Sequence, residues 1–141
     1  MLTPNPILAP VVALVAWTLV MWLWMYATRI PAIVKARMRL DPNAPRGEQM
    51  STLPPSVRWK ADNYNHLMEI PTVFYAVVLV LAIAGDSSPM SIGLAWAFVG
   101  LRVAHSLWQS LFNVIQVRFA LFVLSTLPLF GLTWRAAMAV F

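Results

Sequence analysis

The sequence predicts an all-α fold, a four-helix bundle integral to a membrane, and three observations carry that expectation. Of 141 residues, 60% are hydrophobic and 11% charged, with a mean hydropathy of +0.72, whereas soluble domains carry about 25% charged residues. The apolar residues gather into runs long enough to cross about 30 Å of hydrocarbon, separated by Pro and Gly. The length leaves room for four such runs and one modest loop, so residues 1–141 form a single transmembrane domain with no separate soluble unit.

The first run, Ile7 to Ala27, holds 21 residues without an ionisable group. That is about 30 Å of helix at 1.5 Å per residue. Asn5 can cap its start, with Pro6 at the first helical position where the missing N–H costs nothing. Trp22, Trp24 and Tyr26 near the other end suit the aromatic belt of a bilayer interface. The span is therefore set at about residues 6–27, with room to continue past Arg29 because Ile33 to Leu40 contains no Gly or Pro. Pro42, Pro45, Gly47, Pro54 and Pro55 then mark an irregular, basic loop of about residues 28–56.

The second helix is expected to start from Ser56 as N-cap and to end before Gly85, spanning 57–84. Its first half carries Arg58, Lys60, Asp62, Asn63, Asn65, His66 and Glu69, and its second half, from Ile70, is apolar except for Thr72 and Tyr75. The polar half must face protein, water or a ligand. Pro71 lies inside, where it is expected to kink the helix and free a carbonyl. Ser88 and Pro89 repeat the cap-and-proline start for a third span of about 89–112, whose polar face runs from Arg102 to near Gln116. No Gly or Pro marks its exit, so the turn is placed around Asn113 to Arg118 and the fourth span at about 118–138, with Arg135 able to snorkel to an interface.

Ten Lys and Arg against five Asp and Glu give a net charge of +5. Arg29, Lys35, Arg37, Arg39, Arg46, Arg58 and Lys60 all lie between two apolar runs, the place of topogenic charge, so no nucleic-acid partner is expected. By the same rule loops one and three lie in the cytoplasm and both termini outside, since the loop at Gly85 to Pro89 carries only Asp86. The first cation is Arg29, so the opening run lacks the charged flank of a signal peptide and is expected to stay in the mature protein. There is no cysteine, which excludes disulfides and a protein-borne thiolate. Any sulfur chemistry must come from a bound substrate.

Two polar stripes carry the candidate chemistry. On the second helix Arg58, Asp62, His66 and Glu69 share a face, with Asn65 beside them; on the third, Arg102, His105, Gln109 and Gln116 do the same. An ionisable group as deep as Arg102 is costly unless paired or wet, so the stripes are expected to face each other or a shared cavity. Asp62, His66, Glu69 and His105 have the chemistry of metal ligands, but a di-iron bundle repeats its carboxylate–His pair on two helices and here the third helix offers arginine and amides, so no metal is expected. The arginines favour an anionic, hydrogen-bonding ligand arriving from the cytoplasm. No phosphate-binding loop or Ser/His/Asp arrangement accompanies them.

At these residues the sequence resembles the membrane-associated proteins in eicosanoid and glutathione metabolism, the MAPEG family, and its bacterial branch in particular. The segment from Arg58 to Tyr75 looks like that branch's second-helix motif. Arg102-x-x-His105-x-x-x-Gln109, followed by Arg118, is similar to the third- and fourth-helix pattern of the family's prostaglandin E synthase branch. The resemblance implies a homotrimer in a bacterial inner membrane, with glutathione as co-substrate bound between subunits and a lipophilic small molecule as second substrate. It implies that Arg58 and Glu69 hold the peptide, that Asp62, Asn65, His66, Arg102, His105 and Gln109 line its site, and that Arg118 stabilises its thiolate. Two departures stand out. The family's Asn-x-x-Glu becomes either Asn65-x-x-x-Glu69 or His66-x-x-Glu69, and Gln109 replaces a tyrosine common in eukaryotic members.

The expected function is a membrane-bound glutathione transferase or peroxidase. Its rival is a non-enzymatic four-span membrane protein, either a small transporter or an inactive binding member of the family. A proton-coupled exporter of this size normally carries an ionisable residue in its first span, and Ile7 to Ala27 has none.

Overall fold

A computed structural model describes residues 4–141. Its helices are α1 (Leu8–Lys35), α2 (Glu48–Ser51), α3 (Pro55–Leu67), α4 (Ile70–Ile83), α5 (Pro89–Leu111) and α6 (Ile115–Val140). Four of these units, with α3 and α4 counted as one, are long and apolar enough to cross a membrane. Their arrangement is a bundle in which α5 packs on α6, α3 lies between α1 and α5, and α4 touches α1 and α6.

Buried positions recur at helical spacing. On α1 they are Pro10, Leu14, Thr18, Met21 and Met25; on α4 they are Phe74, Val78 and Leu81; α6 contributes Leu129, Leu132 and Ala136. Phe74 stacks on Phe98 of α5 with ring centroids 4.4 Å apart. The opposite faces are also apolar: Val12, Leu23, Phe119, Phe130 and Trp134 are each at least 60% exposed. In water such a surface would aggregate, but in a bilayer it meets lipid tails of its own polarity. Association between helices then depends on close packing, as where Gly131 of α6 leaves room for Leu94, which a Cβ would approach to 3.1 Å.

Several boundaries depart from those read in the sequence. α1 continues through Pro31 to Lys35, so the segment assigned to the start of loop one is helical, and α2 forms inside that loop. α1 begins at Leu8 on Ile7 with no side-chain cap, so Asn5 is not its cap nor Pro6 its first residue; Asn5 instead makes the turn before the helix, its Oδ1 accepting from the Ile7 amide at 3.1 Å and its carbonyl from the Leu8 amide at 3.0 Å. The second span starts at Pro55 on Pro54, leaving Ser56 inside the first turn. The third turns at Phe112 to Val114, where Asn113 takes φ +52, so Gln116 belongs to α6 and not to the α5 stripe. Asparagine enters the left-handed region more easily than most residues, which lets it do here what a glycine does elsewhere.

α4 ends in a Schellman turn: the Gly85 amide donates to Ala82 O at 3.2 Å and the Asp86 amide to Leu81 O at 2.9 Å, with Gly85 at φ +78. That turn presents Asp86 to Arg135. Arg135 does not reach freely for an interface, because its guanidinium donates to Asp86 at 3.3 Å, to Ser88 at 2.8 Å and to Ser91. Ser88 caps α5 and Ser91 also donates to Asp86, while Asn5 Nδ2 donates to the Asp86 carbonyl at 3.0 Å. The cluster fastens the N-terminal segment, the α4–α5 turn and the end of α6 at the end of the bundle opposite loop one. Burial pushes the Asp86 carboxyl up, but donors from Ser91 and Ser88 and the charge of Arg135 outweigh it and hold the group at about 2 instead of 3.8. A carboxylate depressed by folding stabilises fully above its unfolded value and loses that contribution as pH falls through its folded value. The thermal midpoint in detergent is therefore expected to drop between pH 3.8 and about 2, and Asp86→Asn to remove that part of the slope. Equal slopes in the two proteins would refute the clamp.

Candidate functional site

The site lies at the loop-one end of the bundle and depends on a break in the second span. Pro71 has no N–H for the Leu67 carbonyl, so α3 stops before it. The Met68 amide closes on Asn65 O at 2.9 Å, the Glu69 amide on His66 O at 3.3 Å, and the helix resumes at Ile70 as α4. The expected kink is thus a two-residue interruption at Met68 and Glu69, with Glu69 at φ −92, ψ −99. The His66 carbonyl gains a second donor, Arg102 Nη2 of α5, at 3.0 Å. Arg102 is fully buried, its Cζ 5.6 Å from the Phe122 ring centre, with Nε and Nη1 lacking a protein partner.

Behind this break α3 is tied to its neighbours by polar groups on its buried stripe. Asn63 Nδ2 donates to Ser106 Oγ of α5 at 2.6 Å. Lys60 Nζ donates to Ser56 O at 2.9 Å and stands 4.9 Å from the ring centre of Trp24 on α1. These contacts turn the neighbouring stripe of Asp62, Asn65, His66 and Glu69 outward, toward a row of three adjoining clefts.

The first cleft is basic, about 400 Å³, and lined by Arg29, Arg46 and Arg58 with Asp62 and Asn65. The second is polar, about 330 Å³, and lined by Asp62, Asn65, His66, Glu69, Gln109 and Arg118. The third is apolar, about 270 Å³, and lined by Ile115, Phe119 and Phe122 with His66, His105 and Arg118. Asp62 and Asn65 join the first two; His66 and Arg118 join the last two. Arg118 Nη1 donates to Asn113 Oδ1 at 2.8 Å, so the left-handed turn that starts α6 also orients this guanidinium. His66 Nδ1 is 3.7 Å from Glu69 Oε2, and the His66 and His105 rings are 5.9 Å apart. Among the described residues no three His, Cys, Asp or Glu side chains gather as a metal ion requires.

Of the nine residues that the resemblance assigns to the site, eight line the clefts and Arg102 does not: it acts on the backbone of α3. Gln109 is fully buried against the polar cleft, and neither its amide oxygen nor its amide nitrogen has a protein partner. An unpaired buried amide costs about 1–3 kcal/mol, which a ligand offering both a donor and an acceptor removes. Sequence reasoning missed Arg29 and Arg46, taken there only as topogenic charges, and the apolar wall of Ile115, Phe119 and Phe122. It also missed the Asn63–Ser106 pair, whose signal was available: Lys60, Asn63 and Leu67 fall at the three- and four-residue spacing of a buried stripe.

A lipid-facing bundle of four spans, with charged clefts and an adjoining apolar one at one end, defines an integral membrane protein. The chain belongs to the MAPEG family, whose family model matches residues 7–138. Neither a curated protein nor a solved structure matches it. Glutathione is used generally in that family, which also includes members without catalytic activity.

Proposed function

We propose that this MAPEG protein is a membrane-bound, glutathione-dependent transferase or peroxidase acting on lipophilic electrophiles or hydroperoxides. The observation that carries the reading is the junction at Arg118, a permanent cation lining both the polar cleft and the apolar one. A tripeptide with two carboxylates and two amides matches the arginines of the basic cleft and the unpartnered Gln109. Arg58, with Arg29 and Arg46, holds carboxylates; Asp62, Asn65, His66, Glu69 and Gln109 bind the ammonium and amide groups. His105 closes the apolar side, and Arg102 keeps α3 in place. The thiol then lies beside Arg118, whose charge favours the thiolate. A substrate dissolved in lipid meets it from the apolar cleft. Calorimetric titration of the detergent-solubilised protein with glutathione is expected to give saturable heat at millimolar concentration or below. Its absence would sink the reading.

The working unit in this proposal is a homotrimer in a bacterial inner membrane, with the site open to the cytoplasm and both termini outside. Asp62, Asn65 and Glu69 support it, because they are exposed on a chain whose surface is otherwise largely apolar and a second copy would cover them. Native mass spectrometry in mild detergents should show trimers, and monomers throughout would remove the intersubunit site. Reporters fused at Phe141 and inserted beside Asp86 are both expected to read as periplasmic, on the cation excess of loop one. A cytoplasmic signal at either reverses the orientation.

A further inference from the structure

We propose that the cleft beside the Asp86–Arg135 pair, at the end of the bundle opposite loop one, holds the headgroup of a phospholipid that carries a primary ammonium, with its phosphate on Arg135 and its ammonium on the carbonyls that end α4. This interaction is separate from the glutathione-dependent reading and does not rest on it. The cleft measures about 360 Å³ and lies between the α4–α5 turn, at Ala84 to Asp86, and the last turns of α6. Its position suits a lipid. With 26 residues α6 is about 39 Å long at 1.5 Å per residue, against about 30 Å of hydrocarbon, so its end stands at headgroup level. There Trp134, Met138 and Ile83 are each at least 68% exposed, an apolar surface along which acyl chains can lie.

The hydrogen-bonding groups left over in the cleft match both charges of such a headgroup. Arg135 donates from Nε to Ser91 and from Nη2 to Asp86 and Ser88, so among the described residues Nη1 has no partner, and the side chain is 35% exposed. A guanidinium with an accessible, unused N–H is a phosphate donor. On the facing wall the Schellman turn engages the carbonyls of Leu81 and Ala82, the Ala84 amide engages that of Val80, and Asn5 those of Ala82 and Asp86. The carbonyls of Ala84 and Gly85, two residues that line the cleft, accept no bond among the described residues. Carbonyls that end a helix carry the negative end of its dipole and attract a cation. A primary ammonium brings them three N–H donors, as a lysine would, whereas a choline headgroup brings the charge without a donor. Net charge decides against an anionic lipid. Asp86 and Arg135 already offset each other at 3.3 Å, so a net negative headgroup would sit beside Asp86 and the C-termini of α4 and α6, while a zwitterion adds no net charge.

The test uses the full chain, purified in neutral detergent, stripped of lipid and titrated with dioleoyl lipids that differ only in the headgroup, with bound lipid counted by native mass spectrometry. Phosphatidylethanolamine is expected to bind about tenfold more tightly than phosphatidylcholine or phosphatidylglycerol, a difference equivalent to about 1.4 kcal/mol. Its N-methyl and N,N-dimethyl derivatives should fall in between, in the order of the N–H donors they keep. Ala139 lines the cleft, is exposed and lies outside the Asp86–Arg135 pair. Ala139→Leu narrows the cleft with a good helix former, so it should bring the three lipids within about twofold of one another and leave the lipid-free thermal midpoint unchanged. Ala84→Lys supplies an ammonium from the protein itself to the same carbonyls and is expected to remove the preference as well. Phosphatidylcholine binding as tightly as phosphatidylethanolamine would mean that no N–H donor is read, and phosphatidylglycerol doing so would reduce the cleft to an anion site at Arg135; either result overturns the proposal. So does a preference for phosphatidylethanolamine that both variants keep, because the lipid would then lie elsewhere, or a protein that retains none of the three.

Discussion

Arg118→Ala is expected to lower turnover about 100- to 1000-fold while glutathione affinity stays within a few-fold, the loss found when one preorganised electrostatic stabiliser is removed. A free thiol with a pKa of about 8.5 is only about 3% thiolate at pH 7. In the proposed reaction a guanidinium beside the sulfur raises that fraction and stays charged throughout. Its position is prepared in advance: Arg118 is half-buried at the junction of the polar and apolar clefts and donates to Asn113 at 2.8 Å. The thiolate absorbance of bound glutathione near the ultraviolet edge should fall with the rate. By contrast, Arg58→Ala and Glu69→Gln are expected to weaken binding first, since neither lines the apolar cleft. The competing account is that Arg118 only anchors the start of α6 at an interface, which a lysine does nearly as well. Arg118→Lys decides between them. Full activity and a wild-type thiolate signal in a folded lysine variant would end the catalytic assignment.

What the sequence made legible follows from the strength of each physical signal. Runs of about 20 apolar residues with few charges admit little besides spanning helices, and proline with a cap residue fixed the start of α5 at Ser88 and Pro89. The turn between α5 and α6 had no such marker. Asn113 makes it by adopting a left-handed conformation that its residue type permits but does not announce. Periodicity likewise gathered Asp62, His66 and Glu69 on one face, since neighbours along a helix are fixed by its pitch. It has no means to say which residue on another element meets them. Hence Arg29 and Arg46, far along the chain from Glu69, were read as topology, and Asp86 and Arg135, 49 residues apart, were not read as partners. The three clefts are products of tertiary packing around a broken helix, and only the cause of the break, Pro71, was visible beforehand.

Arg102 tests whether that packing governs the site. Arg102→Ala is expected to destabilise the protein by about 2–5 kcal/mol, the cost of a large cavity in a packed core, because Arg102 is among the largest fully buried side chains. Such a loss says nothing of function, so the informative variant is Arg102→Met. Methionine fills a similar elongated volume. It removes a charge buried with two unpartnered nitrogens, a gain that offsets the hydrogen bond of about 1.5–3 kcal/mol lost at the His66 carbonyl. Stability should therefore change little, by about 1 kcal/mol or less. The turn carrying His66 and Glu69 nevertheless loses its second donor, and glutathione affinity is expected to fall about tenfold, equivalent to about 1.4 kcal/mol, with turnover at saturation kept within a few-fold. A glutathione monoester should weaken in parallel with glutathione itself, because Arg102 lines none of the three clefts and acts through the backbone of α3. If the ester bound equally well to Arg102→Met and to the wild type while glutathione did not, Arg102 would be a direct carboxylate partner and the backbone clamp would be wrong.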